Sequence, residues 1–222
     1  AALHLNEKIS GISFLDISTG EFFLSQGKLD YIDKLIQGFK PSEIILQRNK
    51  LSRFREIFGE RAPDTAFMAV NYAYLLLELG RLGEAESLLD ESTSINMEVL
   101  GPDHPNTLMS QYVLSLLLFE SDRNPEAEAL ITRVVEKSAR VLGEDKELAL
   151  ECKDLLGRIL NRKGDHRQSE KIHREVLETR TRTFGENDPS TANTLVYLAE
   201  SQSGQGMYEE ACVTIERAVR LH

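Results

Sequence analysis

The sequence predicts a mostly α-helical protein: a solenoid of stacked helix pairs over residues 58–222, preceded by a small α+β piece over residues 1–57. Three observations carry this. Glycine recurs every 42 residues, at Gly59, Gly101, Gly143 and Gly185, each after a large apolar residue (Phe58, Leu100, Leu142, Phe184). Small residues keep the same period, at Ala73, Ser115, Gly157 and Ala199, and again at Ala85, Ala127, Ser169 and Ala211. Before residue 58 the apolar residues fall in short, strand-like runs instead. A fixed period of roughly 20–50 residues marks units that bury their apolar faces on their neighbours.

The first 57 residues read as strand, strand, strand, helix, strand, helix. Ala1 to Leu5 is apolar and ends at the turn residues Asn6-Glu7-Lys8. Ile9 to Ile17 carries Ile12, Phe14 and Leu15 in a loose strand pattern. Ser18-Thr19-Gly20 turns the chain into a third strand, Glu21 to Leu24. Leu29, Ile32, Leu35, Ile36 and Phe39 recur at helical spacing, and Pro41 ends that helix. Glu43 to Leu46 is a short strand, and Leu51 to Phe58 a second helix.

From Phe58 the units are 58–99, 100–141, 142–183 and 184–222, each a helix, a turn and a helix. Proline opens three of the first helices at Pro63, Pro105 and Pro189, where its missing N–H costs nothing; Glu147 takes the third slot. Asp188 is placed to cap the helix that Pro189 begins. Gly80, Gly164 and Gly206 mark the turn between helices, with Asp122 at the equivalent place in the second unit. Leu195, Leu198 and Ala199 form a packed face, continued by Ile215, Ala218 and Val219. The small residues stand where paired helices cross and a bulky side chain would push them apart. Ser169 and Gly157 depart from alanine in the third unit. With no polar helix after His222, the array is expected to be truncated.

Composition excludes several classes. Residues 58–222 hold 18 Lys and Arg against 29 Asp and Glu, so the repeats lack the clustered positive charge that phosphate backbones need. The expectation is no direct nucleic-acid contact by the repeats. No apolar run reaches the roughly 20 residues of a membrane span, and the N-terminus lacks signal-peptide character. Cys152 and Cys212 are isolated and fit buried or half-buried free thiols in a reducing, cytoplasmic setting. No metal-ligand cluster, phosphate loop or nucleophile–base pair stands out, so neither cofactor nor enzyme activity is expected.

Two resemblances follow from particular words. Asp16-Ile17-Ser18-Thr19-Gly20-Glu21-Phe22, with the amphipathic helix and Lys40-Pro41 after it, resembles the connector domain of the MutS mismatch-repair family over residues 1–58. That resemblance implies a partial RNase H-like βββαβ sheet and a non-catalytic relay within a larger DNA-repair assembly, the one route by which nucleic acid would enter. Asp16 then ends a strand and caps its turn. Leu100-Gly101-Pro102-Asp103-His104-Pro105 and Tyr208-Glu209-Glu210-Ala211, in register with the small residues, resemble tetratricopeptide repeats of the kinesin-light-chain type over residues 58–222. The two parts meet at Phe58-Gly59-Glu60 with no Gly/Ser-rich or Pro-rich linker, which reads as a chimera.

The repeat resemblance implies a protein-interaction scaffold that takes a peptide or partner helix in the groove lined by its first helices. Counting from the crossing residues places Phe67, Asn71, Tyr74, Tyr112, Leu116, Phe119, Arg158, Arg162 and Tyr197 in that groove. Asn71 matches an asparagine that kinesin-light-chain-like repeats carry there. Arg158 and Arg162 lie one turn apart and could grip an acidic residue beyond an apolar anchor. Equally, they could pair with Asp154 or Glu151, and the aromatic residues could pack between neighbouring helices.

Overall fold

A computed structural model describes residues 2–4, 10–15, 22–27, 45–46, 55 and 59–221. It divides into two compact units, Ala1–Asn71 and Tyr72–His222.

In the first unit four strands form one sheet: β1 (Ala2–His4), β2 (Ser10–Leu15), β3 (Phe22–Gly27) and β4 (Ile45–Leu46). Their order is β3-β2-β1-β4. β1 runs antiparallel to β2 with Leu3 opposite Ile12, and parallel to β4 with Leu3 opposite Leu46. β2 and β3 are antiparallel with Phe14 opposite Phe23. β3 runs three residues past the expected Leu24, because Ser10 at the start of β2 pairs with Gly27. The expected helix over 29–39 lies outside the described residues, as do Asp16 and all of 51–58 except Arg55, which is helical.

Among the described residues eight α-helices follow. They are α1 (Pro63–Glu78), α2 (Leu82–Val99), α3 (Pro105–Glu120), α4 (Asn124–Leu142), α5 (Glu147–Lys163), α6 (His166–Thr183), α7 (Pro189–Gly204) and α8 (Tyr208–Leu221). From α2 onward each helix packs on the next in sequence, and α3 with α5 and α5 with α7 also touch. That is the arrangement of a helix-pair solenoid, in which first helices share one face. Among the described residues, none of the helices is long and apolar enough to cross a membrane.

The period fixes the turns. Gly80, Asp122, Gly164 and Gly206 all have positive φ, 71°, 57°, 93° and 79°. At each, two amides return to the end of the first helix. Arg123 N donates to Leu118 O at 2.8 Å and Asp122 N to Phe119 O at 3.1 Å, and the pair Asp165–Leu160 and Gly164–Asn161 repeats this at 2.9 and 3.0 Å. This satisfies carbonyls that a helix end otherwise orphans. Asp122 tolerates the left-handed conformation better than most non-glycine residues.

The small crossing residues are buried, with Ala73, Ala85, Ser115, Ala127 and Ser169 fully so, except Ala211 on α8, which is half-buried. Between them lie fully buried Leu89, Leu108, Leu117, Ile131, Leu150, Leu155 and Ile159. The expected stripe on α8 holds only at Ala218; Ile215 is 37% and Val219 70% exposed. Among the described helices α8 packs chiefly on α7, which leaves much of its far side open. The two cysteines also part company. Cys152 is buried, but Cys212, on the open side of α8, is exposed.

A polar pair closes each seam between units, always at the same repeat positions. Asn96 Nδ2 donates to Ser110 Oγ at 2.9 Å. Ser138 stands beside the Cys152 thiol. Arg180 Nη1 donates to Thr194 Oγ1 at 2.8 Å. An outer ladder keeps the period too: Glu86, Glu128 and Glu170 accept from Arg123, Lys163 and Gln205 of the next turn at 2.5, 2.9 and 2.6 Å. The two ion pairs among them, Arg123–Glu86 and Lys163–Glu128, are partly solvent-exposed and contribute at most about 1 kcal/mol each.

Candidate functional site

The first helices of the solenoid enclose a groove of about 530 Å³. α1 lends Tyr74, Leu77 and Glu78; α3 lends Tyr112, Leu116 and Glu120. α5 supplies Glu147, Glu151, Asp154, Leu155 and Arg158. α7 adds Asn193 and Tyr197, and Arg180 enters from α6 beneath them.

The floor is built from residues that break the repeat. Glu147 stands where Pro63, Pro105 and Pro189 stand in the other units, and Glu151 where Phe67 and Met109 do. Asp154 replaces Val70 and Val196; His173 replaces Leu89, Ile131 and Ile215; Arg180 replaces Asn96 and Ser138. Asp154, His173 and Arg180 are 4%, 0% and 2% exposed. Charge buried that deeply must be paired and hydrogen-bonded. His173 Nδ1 donates to Asp154 Oδ1 at 3.0 Å, and Thr194 Oγ1 to Asp154 Oδ2 at 3.0 Å. Arg180 Nη1 lies 3.0 Å from Asp154 Oδ2 and also donates to Ser190 O at 2.7 Å. Its Nη2 donates to Glu147 Oε1 at 2.9 Å. A carboxylate only accepts, so Nδ1 of His173 carries a proton, and Nε2 is left buried without a hydrogen-bond partner. The imidazole fits because the crossing residue of this unit is Gly157.

Arg158 and Arg162 are already engaged. Arg158 donates to Glu120 at 3.0 Å, and its guanidinium stands 4.8 Å from the Phe119 ring centre and 5.0 Å from that of Tyr197. Arg162 donates to Phe119 O at 2.7 Å and to Asp122 at 3.2 Å, 3.6 Å over the Phe119 ring. Both therefore pair with acids from the end of the preceding first helix and its turn, not with Asp154 or Glu151. The groove as a whole carries five carboxylates, Glu78, Glu120, Glu147, Glu151 and Asp154, against two guanidiniums, Arg158 and Arg180. Burial, then the Glu147 carboxylate, pushes the Glu151 carboxyl up to about 7. Burial also raises Glu147 and the Tyr74 and Tyr197 phenols, and carries Tyr112 well above the ordinary tyrosine range.

Of the residues expected in the groove, Tyr74, Tyr112, Leu116, Arg158 and Tyr197 line it. Phe119 is buried beneath the two guanidiniums. Arg162 sits one turn beyond Arg158 at the exposed edge, outside the lining. Phe67 and Asn71 belong to the first compact unit, half-buried and exposed respectively. Glu147, Glu151 and Arg180 escaped the sequence reading. Their departure from the 42-residue pattern was the signal that could have found them. Among the described residues, no cluster of His, Cys, Asp or Glu could hold a metal ion.

The tetratricopeptide repeat model matches residues 64–140 and 148–222, more than half of the sequence. The chain belongs to the tetratricopeptide repeat family. The solved structures similar to this tetratricopeptide repeat protein agree on the fold. BtubC (BKLC) from P. vanneervenii superposes with a TM-score of 0.65 at 16% identity, over 87% of this chain and 78% of that one. The putative kinesin light chain TPR-like repeats of Podosopora anserina give 0.61 at 19% identity, over 87% and 86%. A Rap protein complexed with competence and sporulation factor gives 0.64 at 10% identity, over 72% and 43%.

The N-terminal segment has a different affinity. The MutS domain II model matches residues 1–67. The DNA mismatch repair protein MutS of Parabacteroides distasonis is 51% identical over 61 residues, 28% of this chain and 7% of that protein. MutS of Cytophaga hutchinsonii is 47% identical over 81 residues, 35% and 10% of the two. The chain thus spans a tenth or less of the length of these curated relatives. Two unrelated families meet end to end in one chain, a chimera-like arrangement.

Proposed function

We propose that this tetratricopeptide repeat protein is a non-catalytic interaction scaffold that takes a segment of a partner protein in the groove between Tyr74 and Tyr197. The supporting observation is the groove itself: about 530 Å³, walled by tyrosine and leucine side chains with polar groups on its floor. Recognition sites combine apolar walls with a few placed polar groups in this way. That one structural relative is complexed with competence and sporulation factor favours partner binding on such a fold. The working units are 58–99, 100–141, 142–183 and 184–222, after a connector-like piece over 1–57. Two free cysteines fit a cytoplasmic setting.

Selecting phage-displayed random peptides on the full chain tests the scaffold reading. The selected peptides are then titrated calorimetrically into the wild type and a Leu116→Glu variant. A loss of about tenfold or more in affinity supports groove binding; equal affinity for the variant overturns it.

A second reading is favoured by the 51% identity over 61 residues. Residues 1–57 would serve as the connector-like part of a MutS-like mismatch-repair protein, with an RNase H-like sheet. The order β3-β2-β1-β4, with β4 parallel to β1, supports that sheet type. Sequencing the flanks of the coding region tests it. Mismatch-reading and ATPase segments joined to this piece support it, and unrelated flanks overturn it.

A further inference from the structure

We propose that the groove seats a lysine or arginine side chain of the partner segment between Tyr74, Tyr112 and the carboxylate of Glu151. The inference rests on the groove reading above and gives its occupant a chemistry.

The protein already shows how a cation sits here. Arg158 lies between the rings of Phe119 and Tyr197, with the Glu120 carboxylate 3.0 Å away. Aromatic faces and a carboxylate together are favourable surroundings for a guanidinium or ammonium. Tyr74, Tyr112 and Glu151 form a second set of the same kind on the same groove; among the described residues no cation stacks on either ring or pairs with Glu151, and Arg158 and Arg180 act on them only through space. Glu151 is half-buried and, among the described residues, makes neither a hydrogen bond nor an ion pair. The Tyr112 hydroxyl, packed close to Glu151 and Tyr74, makes no hydrogen bond either.

Charge points the same way. The two guanidiniums of the groove are committed, Arg158 to Glu120 and Arg180 to Glu147 and Asp154. Glu78 and Glu151 form no ion pair among the described residues; Arg180 acts on Glu151 only through space, its own bonds going to Glu147 and Asp154. An acidic segment would enter against this excess, and an apolar one would bury the Glu151 carboxylate uncompensated, which is costly. A basic side chain supplies the missing countercharge. Burial and Glu147 push the Glu151 carboxyl up to about 7, and a bound cation would draw it back to the ionised form.

The test uses four nonapeptide mixtures, random except for a fixed central residue: lysine, arginine, norleucine or glutamate. Norleucine keeps a lysine-like stem without the charge. Binding to the full chain is followed by fluorescence polarisation. The expected result is that the lysine and arginine mixtures bind at least about tenfold tighter than the others, and that Glu151→Gln, checked for helicity by circular dichroism, narrows the gap to about twofold. Binding without preference, or preference for glutamate or norleucine, overturns the cation proposal and leaves the groove reading in place; the wild type decides this even if the variant fails to fold. Binding by none of the four mixtures overturns the groove reading and the cation proposal with it.

Discussion

A Cβ added to Gly157 would stand 2.5 Å from Cε1 of His173 and 2.6 Å from its Nε2. The neighbouring units fill both positions differently. Where Gly157 stands they have Ala73, Ser115 and Ala199, and where His173 stands they have Leu89 and Ile131. The glycine and the imidazole are one exchange, and the Asp154 network depends on both.

Gly157→Ala is therefore expected to lose about 1–3 kcal/mol of stability through overpacking. In a His173→Ala background the same change meets open space. Alanine's better helix propensity then makes it stabilising by about 1 kcal/mol. Urea denaturation of the four proteins measures the coupling. An equal loss in both backgrounds would show that the imidazole is not what the new methyl meets.

Glu151 makes stability depend on pH. Its carboxyl is pushed up from the ordinary 4.5 to about 7 in the folded chain, so folding tightens its hold on the proton. The stabilisation is complete below about pH 4.5 and is lost as pH rises through about 7. Glu151→Gln stays neutral throughout. Going from pH 4.5 to pH 8, the variant should gain on the wild type by roughly 3 kcal/mol. Urea midpoints at the two pH values read this directly, and a pH-independent difference between the proteins would contradict it.

The thiols should separate cleanly. Cys152 is buried and its thiol is pushed up to about 12, chiefly by burial, whereas Cys212 is exposed. Reactivity follows the thiolate and its access. Ellman's reagent at pH 8 should titrate one thiol quickly in the native chain and the second only after unfolding. Two fast thiols would mean that the α4–α5 seam opens readily.

The sequence made much of this legible, and the reason is periodicity. A residue repeated every 42 positions answers one geometric demand four times, so the turn at Asp122 could be placed although it lacks glycine. The cap at Asp188 was equally plain; its side chain accepts from Ser190 N at 2.9 Å. The groove floor was not legible. Glu147, Glu151, His173 and Arg180 come from two helices, and each departs from the pattern. A reading weighted toward what recurs passes over such residues. Arg180 and His173 also lie on a second helix, whereas the groove was counted along first helices. The open face of α8 escaped because a stripe of spacing shows which side is apolar but not what packs on it.

The polar seams have a consequence for assembly. Asn96 meets Ser110, Ser138 meets Cys152, and Arg180 meets Thr194. The three contacts share a position but not a chemistry. A helix stacked one place out of turn would set a guanidinium against a thiol, or a small amide against a partner shaped for arginine. The repeats share an architecture, yet each joint carries its own polar match, so neighbouring units are not chemically interchangeable.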